Sequence, residues 1–160
     1  MTFIDLVSKR PHTIILNGFD RSGSSAISRV LSTHPDIELF MQPFNSGPVR
    51  KKMNTIWDDS VATDEDREFF RGLEKGHVFA SYIRSHWFKS YSTTQEFIPG
   101  KLHVIKTTIN HLLIDWTQRN FPAIDHWLIW REPMDILASI VRNNVIDGWY
   151  GEALEELTPT

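Results

Sequence analysis

The sequence predicts an α/β protein in which a parallel sheet is flanked by helices. Short apolar runs that are typical of buried strands alternate with segments of helical pattern, without repeats or low-complexity tracts. Strands separated by helices favour a parallel sheet, because parallel neighbours need a crossover connection, which is almost always right-handed. A chain of 160 residues is about the size of one domain, so we expect a single domain over residues 1–160.

The predicted elements follow one another along the chain. Strands are predicted over about 13–17, 37–41, 102–106 and 126–131. Helices are predicted over about 24–33, 63–76, 77–90, 110–120 and 133–146, with a short helix near 51–57. The first strand is β-branched and apolar, and the first helix stops before Pro35, which cannot continue it.

Capping residues set the ends of the later helices. Thr63 is a favourable N-cap because three acidic residues follow it in the first turn, and Gly76 is typical of a helix end. Asn110 is the predicted cap of the helix after the third strand. Pro133 fits the first turn of the last helix, where its missing N–H is no loss.

The turn between the first strand and the first helix, Gly18–Ser25, carries the clearest functional signal. Glycine lets the backbone curl so that several N–H groups point inward, and the helix N-terminus adds its positive end. A loop that binds Mg-ATP ends in Gly-Lys-Ser/Thr, but here Ser24 stands at the Lys position and Arg21 is the cation. The turn therefore suits a phosphate or sulfate rather than Mg-ATP, with a plain connecting loop as the alternative.

A second motif follows the fourth predicted strand. Arg131 stands at the end of this strand and Ser139 lies on the next helix, so both side chains can close on one phosphate. The alternative is that Arg131 pairs with Glu132 or Asp135, and that Ser139 is a small helix-packing residue.

Together, these two motifs resemble the sulfotransferases that use 3′-phosphoadenosine-5′-phosphosulfate (PAPS). The resemblance covers most of 13–45 and 101–144 and is weak between 46 and 100. It implies the P-loop nucleotide-kinase-like fold of that family, and PAPS or PAP as co-substrate with no metal. The turn would bind the 5′-phosphosulfate, and the second motif the 3′-phosphate. The implied cofactor-binding residues are Arg21, Ser22, Gly23, Ser24, Ser25, Arg131 and Ser139.

Arg21 and Lys106 are the candidates for stabilising the transferred sulfuryl group. A sulfuryl group carries less charge than a phosphoryl group, so fixed cations can replace a metal. Lys106 ends the third strand, at a place that resembles the Lys-Thr-His of cytosolic sulfotransferases, whose Lys touches the sulfuryl group. The alternative for Lys106 is a solvated surface lysine.

The acceptor hydroxyl also needs a general base, and here the sequence departs from the family. Thr108 stands where those enzymes have His, and Gln42 stands where carbohydrate sulfotransferases often have Glu. Neither side chain is a useful base at neutral pH. His111 is the remaining nearby candidate, with a helix cap or surface residue as the alternative, and His77 and His86 are looser candidates.

Aromatic side chains between the second and third strands are candidates for an acceptor pocket. Core packing is the alternative for most of them. They are Phe79, Tyr82, Trp87, Phe88 and Tyr91.

Composition narrows the partners and the compartment. The net charge of −3 argues against a general nucleic-acid binder, and no apolar run approaches the length of a membrane span. The chain has no cysteine, and its N-terminus lacks the pattern of a signal peptide, so we expect a cytoplasmic protein. The partner would be a small-molecule or carbohydrate acceptor, with the oligomeric state open. Sulfotransferases usually have a further region that closes over the nucleotide, so we expect a minimal or truncated domain, or a lid from another subunit.

Three functional hypotheses remain. The leading one is an enzyme that transfers a sulfuryl group from PAPS to a hydroxyl or amine. The second is a non-catalytic module of the same fold that binds PAP or PAPS, which the missing base favours. The third is a P-loop kinase of a small metabolite, against which Ser24 argues.

Overall fold

The computed structural model describes residues 13–42, 44, 52, 55–75, 102–108 and 111–143. These residues form an α/β fold with four strands and four α-helices. The strands are β1 (Thr13–Gly18), β2 (Ile37–Met41), β3 (Leu102–Thr107) and β4 (Asp125–Ile129). The α-helices are α1 (Ser24–Leu31), α2 (Asp64–Glu74), α3 (Ile114–Asn120) and α4 (Pro133–Arg142), with a 3-10 turn over His111–Leu113.

The predicted parallel sheet is confirmed. Its strand order is β2–β3–β1–β4, and all three pairings are parallel. Lys106 of β3 lies opposite Leu16 of β1 and Met41 of β2, while Gly18 lies opposite Ile129 of β4. The carboxyl ends of all four strands therefore meet at one edge, where ligands of such sheets bind.

The helices cover both faces of the sheet. The chain passes from β1 through α1 to β2 in one direction, and from β3 through α3 to β4 in the other. Right-handed crossovers in opposite directions place their helices on opposite faces. The contacts agree: Ser28 of α1 donates to Met41 Sδ at 3.6 Å, whereas Thr13 Oγ1 donates to the carbonyl of Leu73 in α2 at 2.7 Å.

The core on the α2–α3 face is aromatic. Phe70 of α2 is fully buried and packs its ring 5.2–6.3 Å from the centroids of five other rings. Those rings belong to Phe44, Trp57, Phe69, Trp116 and Phe121. Because such rings bury large apolar areas, this cluster fixes α2 and α3 against the sheet.

A buried polar network joins β1, β4 and α3. Thr117 Oγ1 donates to the backbone carbonyls one turn back, so it accepts from His126 Nε2 at 2.9 Å. The other ring nitrogen of His126 accepts from Asn17 Nδ2 at 3.3 Å. Both nitrogens are thus satisfied in the neutral ring, and burial lowers the pKa of His126 to about 4.

The predicted N-terminus of α2 is confirmed in detail. Thr63 is its N-cap and accepts from the backbone N–H of Asp66, whose carboxylate accepts from the backbone N–H of Thr63. This reciprocal pair is a capping box. Asp66 also forms an ion pair with Lys52.

Three helix boundaries differ from the prediction. The helix α1 ends at Leu31 rather than near Thr33, because the hydroxyls of Ser32 and Thr33 donate back to carbonyls of the last turn. The helix α3 begins only at Ile114, since the preceding residues form the tighter 3-10 turn. The helix α4 ends at Arg142, a turn short of the predicted end.

Other predictions meet the structure only in part. Residues 55–57 are not helical, and β4 ends at Ile129, so Arg131 follows the strand by two residues. Lys52 lies in a turn rather than in a helix. Residues 51, 53 and 54, the helix over 77–90, Gly76, Asn110, the aromatic acceptor wall, His77 and His86 lie outside the described residues. In the part of the chain that the structure describes, no helix has the length and apolarity needed to cross a membrane.

Candidate functional site

The turn after β1 folds back tightly over its first glycine. A Cβ atom at Gly18 would lie 2.7 Å from Ser22 Oγ and 2.8 Å from Ser24 Cβ, closer than real Cβ contacts. The Ser22 N–H closes the turn on the carbonyl of Phe19 at 3.1 Å, and Gly23 has a φ of 91° that favours glycine. The two glycines therefore permit the concave shape that the sequence predicts.

The N-terminus of α1 opens into this turn. Gly23 is the N-cap, and no side chain caps the helix end. Ser24 is buried in the first turn, and Ser25 beside it is exposed. The hydroxyl of Ser22 is buried, with the residue 7% exposed, and has no hydrogen-bond partner among the described residues. A buried hydroxyl without a partner is costly, so this turn fits an anion that would accept from Ser22 and from the helix N-terminus.

Arg131 and Ser139 both contact Arg21 of the turn. Arg131 Nη1 donates to the backbone carbonyl of Arg21 at 3.0 Å, and Arg21 Nε donates to Ser139 Oγ at 3.1 Å. Arg131 also makes a long ion pair with Asp135, at 3.9 Å between Nε and Oδ2. The alternative pairing with Asp135 is thus present but weak, and it does not keep Arg131 away from the turn.

Lys106 is buried, so the alternative of a solvated surface lysine is wrong. Its side chain is 2% exposed and lies at the carboxyl end of β3. Burial lowers its pKa to about 8, and the Asp20 carboxylate of the turn opposes this shift. Sequence alone does not reveal this environment, because Asp20 and Lys106 lie far apart in the chain.

Gln42 and Thr108, the two positions at which the resemblance would predict a base, are neutral and contact each other. Gln42 Nε2 donates to Thr108 Oγ1 at 3.4 Å, and the Gln42 N–H donates to the Lys106 carbonyl at 2.7 Å. Gln42 has a φ of 51°, in the left-handed region that residues other than glycine rarely adopt. An amide and a hydroxyl occupy this part of the edge, as the sequence indicates.

His111 lies against the turn rather than on an isolated surface. Its ring stacks on Phe19 with centroids 4.2 Å apart and planes 20° from parallel. His111 Nε2 is 3.2 Å from the Thr108 carbonyl, and because a carbonyl only accepts, this nitrogen carries the proton. Burial lowers the pKa of His111, while the bond to Thr108 and the Asp20 carboxylate raise it. The neutral ring leaves Nδ1 as an acceptor.

The structure therefore brings the predicted residues to one edge in two groups. Arg21, Arg131 and Ser139 are joined by direct hydrogen bonds. Lys106 and His111 share the influence of Asp20. Ser22, Gly23, Ser24 and Ser25 form the turn and the helix start between them.

Sequence reasoning missed Phe19 and Asp20, although both lie within the turn that it singled out. Phe19 is half-exposed and holds the ring of His111, and Asp20 is the carboxylate that acts on two candidate catalytic groups. Their signal was position alone, since both residues lie between Gly18 and Arg21 of the turn. Among the described residues, no group of three or more His, Asp or Glu side chains could hold a metal ion.

No family model matches this chain, and comparison with curated proteins and with solved structures found no significant match.

Proposed function

We propose that this protein is a PAPS-dependent sulfotransferase with the P-loop-like fold of that family. It would transfer a sulfuryl group to a hydroxyl or amine of a small molecule or carbohydrate. The observation that carries the proposal is that Arg131 and Ser139 both contact Arg21. Arg131 is 110 positions from Arg21 in the chain, and Ser139 is 118 positions from it. Two motifs with separate expected roles thereby meet at the carboxyl edge of a parallel sheet, which supports a single nucleotide site.

The proposal assigns one end of PAPS to each motif. The turn from Ser22 to Ser25 and the N-terminus of α1 would hold the 5′-phosphosulfate, with the Ser22 hydroxyl as a donor. Arg131 and Ser139 would hold the 3′-phosphate. Arg21 belongs to the turn and contacts Ser139 of the second motif. Its guanidinium could give up the hydrogen bond to Ser139 and bind an anion of the nucleotide instead.

The chemistry assigns a role to each remaining candidate. The acceptor oxygen forms a bond to the sulfur while the bond from sulfur to the bridging phosphate oxygen breaks. His111 Nδ1 takes the acceptor proton, and the charge on the leaving phosphate oxygen is stabilised by Arg21 and Lys106. Lys106 remains largely protonated at pH 7 with a pKa of about 8, so it supplies that charge.

One observation favours a second function, a binding module that holds PAP or PAPS without transfer. Gln42 and Thr108 bond to each other at the two positions where sulfotransferases have a base. If His111 only packs against Phe19, neither Gln42 nor Thr108 would deprotonate an acceptor. A P-loop kinase has less support, because Ser24 replaces the phosphate-binding lysine.

Transfer of radiolabelled sulfate from PAPS to a panel of phenols, amines and sugars tests the proposal. We expect label on at least one acceptor, and His111→Asn to lower turnover about 100-fold or more. His34→Asn, a matched change at the far end of α1, should leave turnover unchanged. Tight PAP binding without any transfer would select the binding module. Failure to bind PAP or PAPS at all would refute both functions.

A further inference from the structure

Arg21 has an unusual backbone conformation that something must hold. Its φ is 64°, in the left-handed region that residues other than glycine rarely adopt. Only Arg21 and Gln42 show it among the described non-glycine residues. A strained conformation of this kind persists when the surrounding contacts fix it, and such residues concentrate at binding sites.

Residues after β4 and in α4 supply those contacts, to the backbone and to the side chain of Arg21. Arg131 donates to the backbone carbonyl at 3.0 Å, and Ser139 accepts from the side chain at 3.1 Å. The bond to the carbonyl is the more informative of the two, because it acts on the backbone and not on a side chain that can swing away. A guanidinium has five N–H donors, so this bond leaves other donors of Arg131 for a ligand.

We propose that Arg131 is a positioning residue for the turn as well as a ligand of the 3′-phosphate. By holding the Arg21 carbonyl, it keeps Arg21 left-handed and so keeps the N–H groups of the turn and the Ser22 hydroxyl aimed at the 5′-phosphosulfate. The proposal rests on the proposed function, since it takes the turn as the site of that group. Its consequence is specific: loss of Arg131 must weaken binding even of a nucleotide that has no 3′-phosphate.

Calorimetry with PAPS and with adenosine 5′-phosphosulfate tests this, because the two nucleotides differ only in the 3′-phosphate. For Arg131→Ala we expect about 100-fold weaker PAPS binding and about five-fold weaker binding of adenosine 5′-phosphosulfate, in proportion to the bonds lost in each case. Arg142→Ala, which removes the same charge from the other end of α4, should change neither affinity. An unchanged melting temperature would show that the effect is not a general loss of structure.

A second measurement reads the turn directly in the free protein. We expect Arg131→Ala to shift the amide resonances of Ser22 and Gly23 without any nucleotide present, and Arg142→Ala to leave them in place. If Arg131→Ala does not fold, Arg131→Met keeps most of the side-chain stem and allows the same comparison.

The outcomes separate the two claims. Weaker PAPS binding with unchanged affinity for adenosine 5′-phosphosulfate would overturn the positioning role and leave the sulfotransferase proposal standing. No binding of either nucleotide by the wild-type protein would overturn the proposed function. Even in that case, the amide resonances of the free protein would decide whether Arg131 holds the turn. Unshifted resonances in Arg131→Ala would overturn the positioning role as well.

Discussion

Replacing Lys106 by Met should stabilise the fold at neutral pH while removing the charge that the proposed function needs. The fall of the Lys106 pKa from 10.5 to about 8 corresponds to a cost of about 3 kcal/mol for keeping the charge buried, at ~1.36 kcal/mol per unit. Met has a similar length and no charge, so it removes this cost with little change in packing. We expect a gain of about 2–3 kcal/mol in the free energy of unfolding, or about 5–10 °C in Tm for a domain of this size.

The gain should depend on pH in a defined direction. The pKa of Lys106 is lower in the folded protein than in the unfolded chain, so between about pH 8 and 10.5 the unfolded chain binds more protons. The wild-type protein therefore gains stability as pH rises through this window, and the advantage of Lys106→Met should shrink over the same window. In the proposed function, PAP binding should weaken above about pH 8, because the lysine loses its charge there.

Urea unfolding of both proteins at pH 7 and pH 10.5, with calorimetry of PAP binding, measures these effects. Lys75→Met, a change at an exposed lysine after α2, is the matched control and should alter stability by less than about 0.5 kcal/mol. A less stable Lys106→Met variant at pH 7 would refute the reasoning, since it would mean that the charge of Lys106 is stabilised rather than penalised in the fold.

Three further predictions concern the turn and the sheet. Gly18→Ala should cost about 1–3 kcal/mol and weaken PAPS binding, because the new Cβ meets Ser24 Cβ at 2.8 Å; unchanged melting and affinity would contradict this. Lowering the pH from 6.5 to 4 should remove up to about 3 kcal/mol of stability, because His126 has a pKa of about 4 in the folded protein and protonates more readily in the unfolded chain. The hydrogen bonds to Asn17 and Thr117 both require the neutral ring. In the His126→Gln variant, acid unfolding monitored by circular dichroism should no longer show this loss of stability between pH 6.5 and 4. An unaltered loss in the variant would mean that other groups cause it. In single-turnover assays Arg21→Ala should reduce the rate of sulfuryl transfer more than PAPS affinity, and an equal loss in both would remove the assignment of Arg21 to the reacting group.

Much of the fold could be predicted because its signals are local. The apolar runs of the first three strands, Thr63 with its acids and Pro133 at the start of α4 depend only on neighbours in sequence, and the structure has each of them as expected. The shared edge of the sheet followed from topology alone, because parallel strands bring their carboxyl ends together.

The remaining features could not be predicted because they depend on contacts between distant segments. The action of Asp20 on Lys106 and the stacking of His111 on Phe19 both join the turn after β1 to β3 or to the segment that follows it. The start of α3 depends on the 3-10 turn that the chain takes after β3, and sequence propensity does not separate the two helix types over three residues. The left-handed Arg21 breaks a local rule, as residues at ligand sites often do.

The hydrogen bonds of the neutral His126 ring also fix the register in which β4 pairs with β1. No residue of β4 is fully buried. The strand therefore has no buried apolar face that would strongly specify how it aligns with β1. His126 lies opposite Ile15, and its bonds to Asn17 and Thr117 are satisfied in that alignment. A slip by one residue would move the following chain by about 3.3 Å and carry Arg131 out of reach of the Arg21 carbonyl. An uncharged imidazole on the outermost strand thus fixes the position of a guanidinium at the carboxyl edge of the sheet.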